Sequence, residues 1–149
     1  MSKKPHILII DAPYYEALSK ELRRGAIEAL EAAGATYNCV SVPGVLEIPT
    51  AVAMAITAAE NGSTQYDGYV TLGVVIRGET THYDVVAGES ARAIMDLCVS
   101  YDLALGNGIQ TVENEAQAWA RANVSEKNKG GGAAEAALAM INLRETLSA

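Results

Sequence analysis

Residues 7–33 read ILIIDAPYYEALSKELRRGAIEALEAA. Ile7 to Ile10 form a continuous aliphatic run, which suits a strand buried on both faces, as in a parallel sheet. Asp11, Ala12 and Pro13 end it. From Tyr15 to Ala33 the period lengthens. Leu18, Leu22, Ala26 and Leu30 recur four apart, with Glu21, Arg24, Glu28 and Glu31 between them, which is the stripe of an amphipathic helix. Gly34 is its expected C-terminal cap.

The same alternation continues along the chain. Tyr37 to Val42 reads as a second strand, stopped by Pro43 and Gly44. Pro49 suits the first turn of a helix whose body, Thr50 to Ala59, is almost wholly apolar. Such a helix either packs tightly on its own sheet or is covered by another subunit. Asn61 and Gly62 close it. Gly68 to Gly73 predicts a third strand, with the apolar run reaching Ile76. A helix follows over about Tyr83 to Ser100, then a fourth strand over Leu103 to Ile109. Gly106 and Gly108 interrupt that strand and mark a close backbone approach. A helix over Val112 to Asn123, a polar glycine-rich joint over Ser125 to Gly132, and a last helix over Ala133 to Leu147 complete the chain.

Strand–helix alternation four times over predicts an α/β fold: a four-stranded parallel sheet with helices on both faces. Right-handed crossovers make a three-layer, flavodoxin-like arrangement of strand order 2-1-3-4 the simplest topology. No repeat or linker divides the chain, so one domain over residues 1–149 is expected.

Composition narrows the function classes. Half the residues are hydrophobic, which is ordinary for a globular protein. The net charge of −7, without a basic stripe, excludes the usual nucleic-acid binder. No run is long enough to span a bilayer, and Ile7 to Ile10 is too short for a signal-peptide core. Cys39 and Cys98 form no metal-ligand pair. Each lies in an apolar stretch and is expected to be a buried thiol in a reducing, cytoplasmic setting.

In open α/β sheets the ligand lies beyond the carboxyl ends of the strands. Four loops qualify: Asp11–Tyr15, Pro43–Glu47, Gly73–His82 and Ile109–Thr111. The third is the richest. Thr80, Thr81 and free N–H groups at a helix start suit a phosphate, and His82 can move protons near neutral pH. Equally, the threonines can cap the helix and His82 can simply be solvated. In the second loop Glu47 sits between two prolines, placed either to hold a polar ligand or to favour the helix dipole. Tyr14 and Tyr15 can stack on a flat heterocycle or staple the helix start. Gly130 to Gly132 follow Lys127 and Lys129, but the order is wrong for a Walker loop.

Three segments together resemble one family. LGVVIRGETTHYD (Leu72–Asp84) is similar to the LG-x-VIRG-x-TTHYD signature of the 6,7-dimethyl-8-ribityllumazine synthases. VPGVLEIP (Val42–Pro49) is similar to their VPG-x-[FL]-E-[IL]-P. TVENEAQAWARA followed by NKGGGAA is similar to their TxEN…QA…RA…NKG tail. The matches fall in the family's order and spacing and, with the helices between them, cover nearly the whole chain.

The resemblance implies an enzyme that joins 5-amino-6-(D-ribitylamino)uracil to 3,4-dihydroxy-2-butanone 4-phosphate in riboflavin biosynthesis, with no cofactor and no metal. It implies that His82 transfers protons and that Glu79 and Thr80 hold the phosphate, while Arg121 neutralises it from a neighbouring subunit. Tyr14 would stack on the pyrimidine. Val45, Leu46 and Glu47 would bind the ribityl chain and uracil edge, with Val74, Val75 and Ile76 opposite. Lys129 matches the NKG lysine. Asn107 stands where many members place Phe near the neighbour's substrate, and Tyr14 where Phe or Trp is common.

The family's assembly is a homopentamer with active sites between subunits, in some members packed into a shell. The short segment Met1–His6 favours a free pentamer. Two other readings remain: a flavodoxin-type flavin carrier, for which DAPYYEAL lacks the phosphate loop, and a catalytically silent scaffold of the same family.

Overall fold

The computed structural model describes residues 4–149. The expectation drawn from Met1–His6 therefore lies partly outside the described residues. In chain order the elements are β1 (His6–Asp11), α1 (Glu16–Ala32), β2 (Thr36–Ser41), a single 3-10 turn (Val45–Glu47), α2 (Ile48–Glu60), β3 (Gly68–Ile76), α3 (His82–Tyr101), β4 (Leu105–Val112), α4 (Glu115–Ala122) and α5 (Lys129–Ser148). All strand pairs are parallel and the order is β2-β1-β3-β4, as expected.

The two-residue period of a strand divides β1 between two cores. Ile7 and Ile9 face the layer of α1, α4 and α5, meeting Leu18, Leu22, Ala134 and Ile141. Leu8 and Ile10 face the layer of α2 and α3, meeting Ile48, Val52, Val86 and Ile94. Each fully buried Ile or Leu contributes roughly 1.5–3 kcal/mol, so both faces of this strand are strongly favoured.

Several expected boundaries shift. Gly34 and Gly62 take positive φ (76° and 96°) just past α1 and α2, as C-terminal caps require. β4 begins at Leu105, not Leu103. Asp102 caps α3 in the left-handed region, and the Leu103 N–H donates to the Cys98 carbonyl, which keeps Leu103 in the connection. β4 then runs past Ile109 to Val112, because Gln110, Thr111 and Val112 pair with Val74, Val75 and Ile76. α4 starts at Glu115, where the Asn114 side chain caps by accepting from the Gln117 N–H at 2.8 Å.

The expected joint over Ser125–Gly132 is helical in its second half, since α5 begins at Lys129. Asn128 caps α5, and Gly130 and Gly131 lie in its first turn. Gly130 is glycine because α5 presses on α1, where a Cβ would stand 2.0 Å from the Leu22 carbonyl oxygen, and at Gly131 a Cβ would meet the capping Asn128 side chain at 2.4 Å. The approach expected at Gly106 has the same cause, with the Ala133 carbonyl 1.7 Å from a Cβ built there.

The cysteine expectation is corrected. Cys39 is exposed, because β2 is an edge strand left largely uncovered, and Cys98 is half-buried. The apolar α2 buries only Ile48, Pro49 and Val52. Its outward side and that of α3 leave Met54 at 66%, Met95 at 61% and Val99 at 73% exposure. Among the described residues, no helix is long and apolar enough to cross a membrane.

Candidate active site

A cleft of about 450 Å³ opens beyond the carboxyl ends of β1, β2 and β3, a volume typical of small-molecule sites. One wall is the β1–α1 loop with Tyr14 and Tyr15. The second is the rigid turn carrying Val45, Leu46 and Glu47. The floor is Val74, Val75 and Ile76 at the end of β3, and the rim is His82 with Val86 on α3.

Local sequence sets these walls. Gly73 admits the second wall, since a Cβ there would lie 2.8 Å from Cγ2 of Val45. Pro43 and Pro49 bracket the turn, and the Glu47 N–H closes it on the Gly44 carbonyl at 3.1 Å. Tyr14 is 77% exposed and meets Tyr15 edge-on, with centroids 5.0 Å apart, so one ring face is free for a flat ligand.

His82 is the first residue of α3. Its backbone N–H donates to Oγ1 of Thr80 at 3.2 Å, whereas Thr81, at the N-cap, makes no side-chain cap bond. Among the described residues, no protein acceptor takes the N–H groups of Gly78, Glu79, Thr80 or Thr81. A run of free N–H groups at a helix start is suited to an anion. Arg77 is not available for one. Its Nε donates to the Glu113 carboxylate at 2.9 Å and its guanidinium lies 4.2 Å from the Tyr83 ring centroid. The Glu113 bond holds the Arg77 pKa above its ordinary value.

Eight expected residues thus meet in one cleft: Tyr14, Val45, Leu46, Glu47, Val74, Val75, Ile76 and His82. Glu79 and Thr80 sit on the exposed loop leading into α3. Asn107, Arg121 and Lys129 do not line it. Asn107 Oδ1 accepts from Thr71 Oγ1 and from the Ile109 N–H, both at 3.0 Å. Arg121 donates to the Gln117 carbonyl of its own helix at 3.1 Å. Neither Arg121 nor Lys129 makes an ion pair among the described residues.

Among the described residues, the cleft's own lining therefore carries no Lys or Arg. Sequence reading did not place Val86 or the Arg77–Glu113 link at the site. The helical spacing from His82 to Val86 was the available signal for the first.

Comparison with known proteins identifies the family. The family model for 6,7-dimethyl-8-ribityllumazine synthase matches residues 4–145. The chain is 60% identical over 147 residues to 6,7-dimethyl-8-ribityllumazine synthase 1 of Rhizobium meliloti (strain 1021), covering 99% of this chain and 96% of that protein. It is 58% identical to the 6,7-dimethyl-8-ribityllumazine synthase of Agrobacterium fabrum, covering 97% of each. For that of Bartonella tribocorum the identity is 57%, covering 97% of this chain and 93% of that protein. With the strand order, the cleft and the three motifs in agreement, the chain belongs to the 6,7-dimethyl-8-ribityllumazine synthase family.

Proposed function

We propose that this chain, as a single domain, condenses 5-amino-6-(D-ribitylamino)uracil with 3,4-dihydroxy-2-butanone 4-phosphate to give 6,7-dimethyl-8-ribityllumazine, phosphate and water. The observation that carries the reading is the cleft itself. An exposed aromatic ring, a rigid carboxylate-bearing turn, an apolar floor and a histidine converge beside a loop of free N–H groups.

In this reading Tyr14 stacks on the pyrimidine. Val45, Leu46 and Glu47 take the ribityl chain and uracil edge through backbone groups and the carboxylate. Glu79 and Thr80 hold the phosphate with the N–H groups before α3. The reacting amine attacks the ketone to form an imine, with loss of water. Phosphate then leaves, the ribityl-bearing nitrogen closes the ring, and a second dehydration yields the product. His82, at the rim, shuttles the protons these steps require. Most of the acceleration comes from holding two small molecules together, since effective molarities reach roughly 10⁵ M in favourable cases.

A phosphate needs a cation, and among the described residues the cleft's lining supplies none. Arg121, assisted by Lys129, supplies it from a neighbouring subunit, and Asn107 arrives from the same side. The exposed Met54, Met95 and Val99 support an assembly in which α2 and α3 are covered. A homopentamer in the cytoplasm is the form proposed. Mixing the two substrates with the wild-type protein is the test. Fluorescent lumazine and one phosphate per turnover are expected, and a rate no faster than the protein-free mixture overturns the reading.

A further inference from the structure

Asp11 ends β1 and is 1% exposed. Among the described residues it is the only charged side chain in the buried set. Burying a carboxylate is costly, and a buried ion pair seldom stabilises a fold better than apolar residues of the same shape. What this one does provide is direction. Ser41 Oγ donates to Oδ1 at 2.5 Å, Ser19 Oγ donates to Oδ2 at 3.2 Å, and the Arg23 guanidinium donates to the same Oδ2. Around it, the Val42 N–H donates to the Asp11 carbonyl at 2.8 Å and the Ala12 N–H to the Leu72 carbonyl at 3.0 Å.

These partners belong to different walls of the cleft. Ser41 is the last residue of β2, and only Val42, Pro43 and Gly44 separate it from the turn that carries Val45, Leu46 and Glu47. Ser19 and Arg23 are on α1, which begins just after Tyr14 and Tyr15. The loop of Glu79 and Thr80 is anchored elsewhere. The Arg77 N–H donates to the Val112 carbonyl and the Arg77 side chain pairs with Glu113, both of which tie that loop toward β4.

We infer that Asp11 is a positioning residue: its carboxylate, through Ser41 on one side and Ser19 and Arg23 on the other, fixes the separation of the Tyr14 wall from the Val45–Glu47 wall. The inference rests on the reading of the cleft under Proposed function and deepens it. The clamp serves the pyrimidine half of the site and leaves the phosphate half alone.

The test is steady-state kinetics of Asp11→Asn and Ser41→Ala with each substrate varied in turn. For Asp11→Asn the KM for 5-amino-6-(D-ribitylamino)uracil is expected to rise about tenfold, equivalent to about 1.4 kcal/mol. Ser41→Ala should raise it less, and the KM for the butanone phosphate should stay at the wild-type value in both. A general loss of structure would raise both constants together, and that result overturns the clamp. An unchanged pyrimidine KM in both variants overturns it as well. If Asp11→Asn does not fold, Ser41→Ala decides alone, because it removes a single bond from an exposed residue. Failure of the functional reading is read separately, on wild-type protein that makes no lumazine.

Discussion

The backbone N–H of His82 donates to Oγ1 of Thr80 at 3.2 Å, so the residue that opens α3 and the loop before it are held by one bond. A proposed proton-transfer group and a proposed phosphate ligand are thereby kept in fixed relation. His82→Ala retains the backbone N–H, and with it the loop, while removing the imidazole. The variant is expected to keep the wild-type KM for the phosphate substrate and to lose at most about 10²–10⁴-fold in kcat. A wild-type kcat would remove the role assigned to His82.

Arg121 is half-buried and, among the described residues, its side chain bonds only to a carbonyl of its own helix, which leaves most of its N–H groups for a ligand. Arg121→Ala should raise the KM for 3,4-dihydroxy-2-butanone 4-phosphate about tenfold or more, the scale of a hydrogen bond to a charged group. The KM for the pyrimidine should change little. Varying each substrate separately checks it.

Two glycines near each other in space should respond oppositely to alanine. At Gly106 a Cβ would meet the Ala133 backbone at 1.7 Å, and backbone on both sides leaves no side chain to yield. Gly106→Ala is expected to cost about 3 kcal/mol or more. At Gly132, inside α5, a Cβ meets nothing within 4 Å. Gly132→Ala should stabilise by up to about 1 kcal/mol through helix propensity. Urea unfolding of both variants measures the contrast.

Glu21 joins α1 to the α4–α5 connection by accepting from the Val124 N–H at 3.0 Å and from Arg24. Its pKa is lowered, first by the Arg24 bond and then by the Val124 N–H. A carboxylate whose folded pKa is depressed stabilises the fold above its unfolded pKa and ceases to do so as pH falls through the folded value. Wild-type stability should therefore fall below about pH 4.5 more steeply than that of Glu21→Gln. Equal acid limbs in denaturation at a series of pH values would contradict this.

Strand order was legible because strand–helix alternation with right-handed crossovers leaves few topologies, and the apolar runs Ile7–Ile10 and Gly68–Ile76 suit strands buried on both faces. The walls of the cleft were legible because Pro43, Gly44, Pro49 and the residues around His82 lie at strand ends, where this fold puts its ligands. The start of α5 was hidden. Gly130 and Gly131 read locally as a break, and only contact with Leu22 and Asn128 explains glycine inside a helix. The Asp11 network was hidden for a similar reason, since Ser19, Arg23 and Ser41 meet through the tertiary fold. Cys39 misled because an apolar strand reads as buried, whereas β2 lies at an uncovered edge.

The central claim is that one subunit supplies His82 and the walls while another supplies Arg121. Co-expressing His82→Ala with Arg121→Ala chains tests it most directly. In mixed oligomers some interfaces pair an intact His82 with a neighbour's intact Arg121, about one quarter of them under random one-to-one assembly. Activity well above the mean of the two separate variants is predicted. Activity equal to that mean would place both residues in a site within one chain and contradict the account.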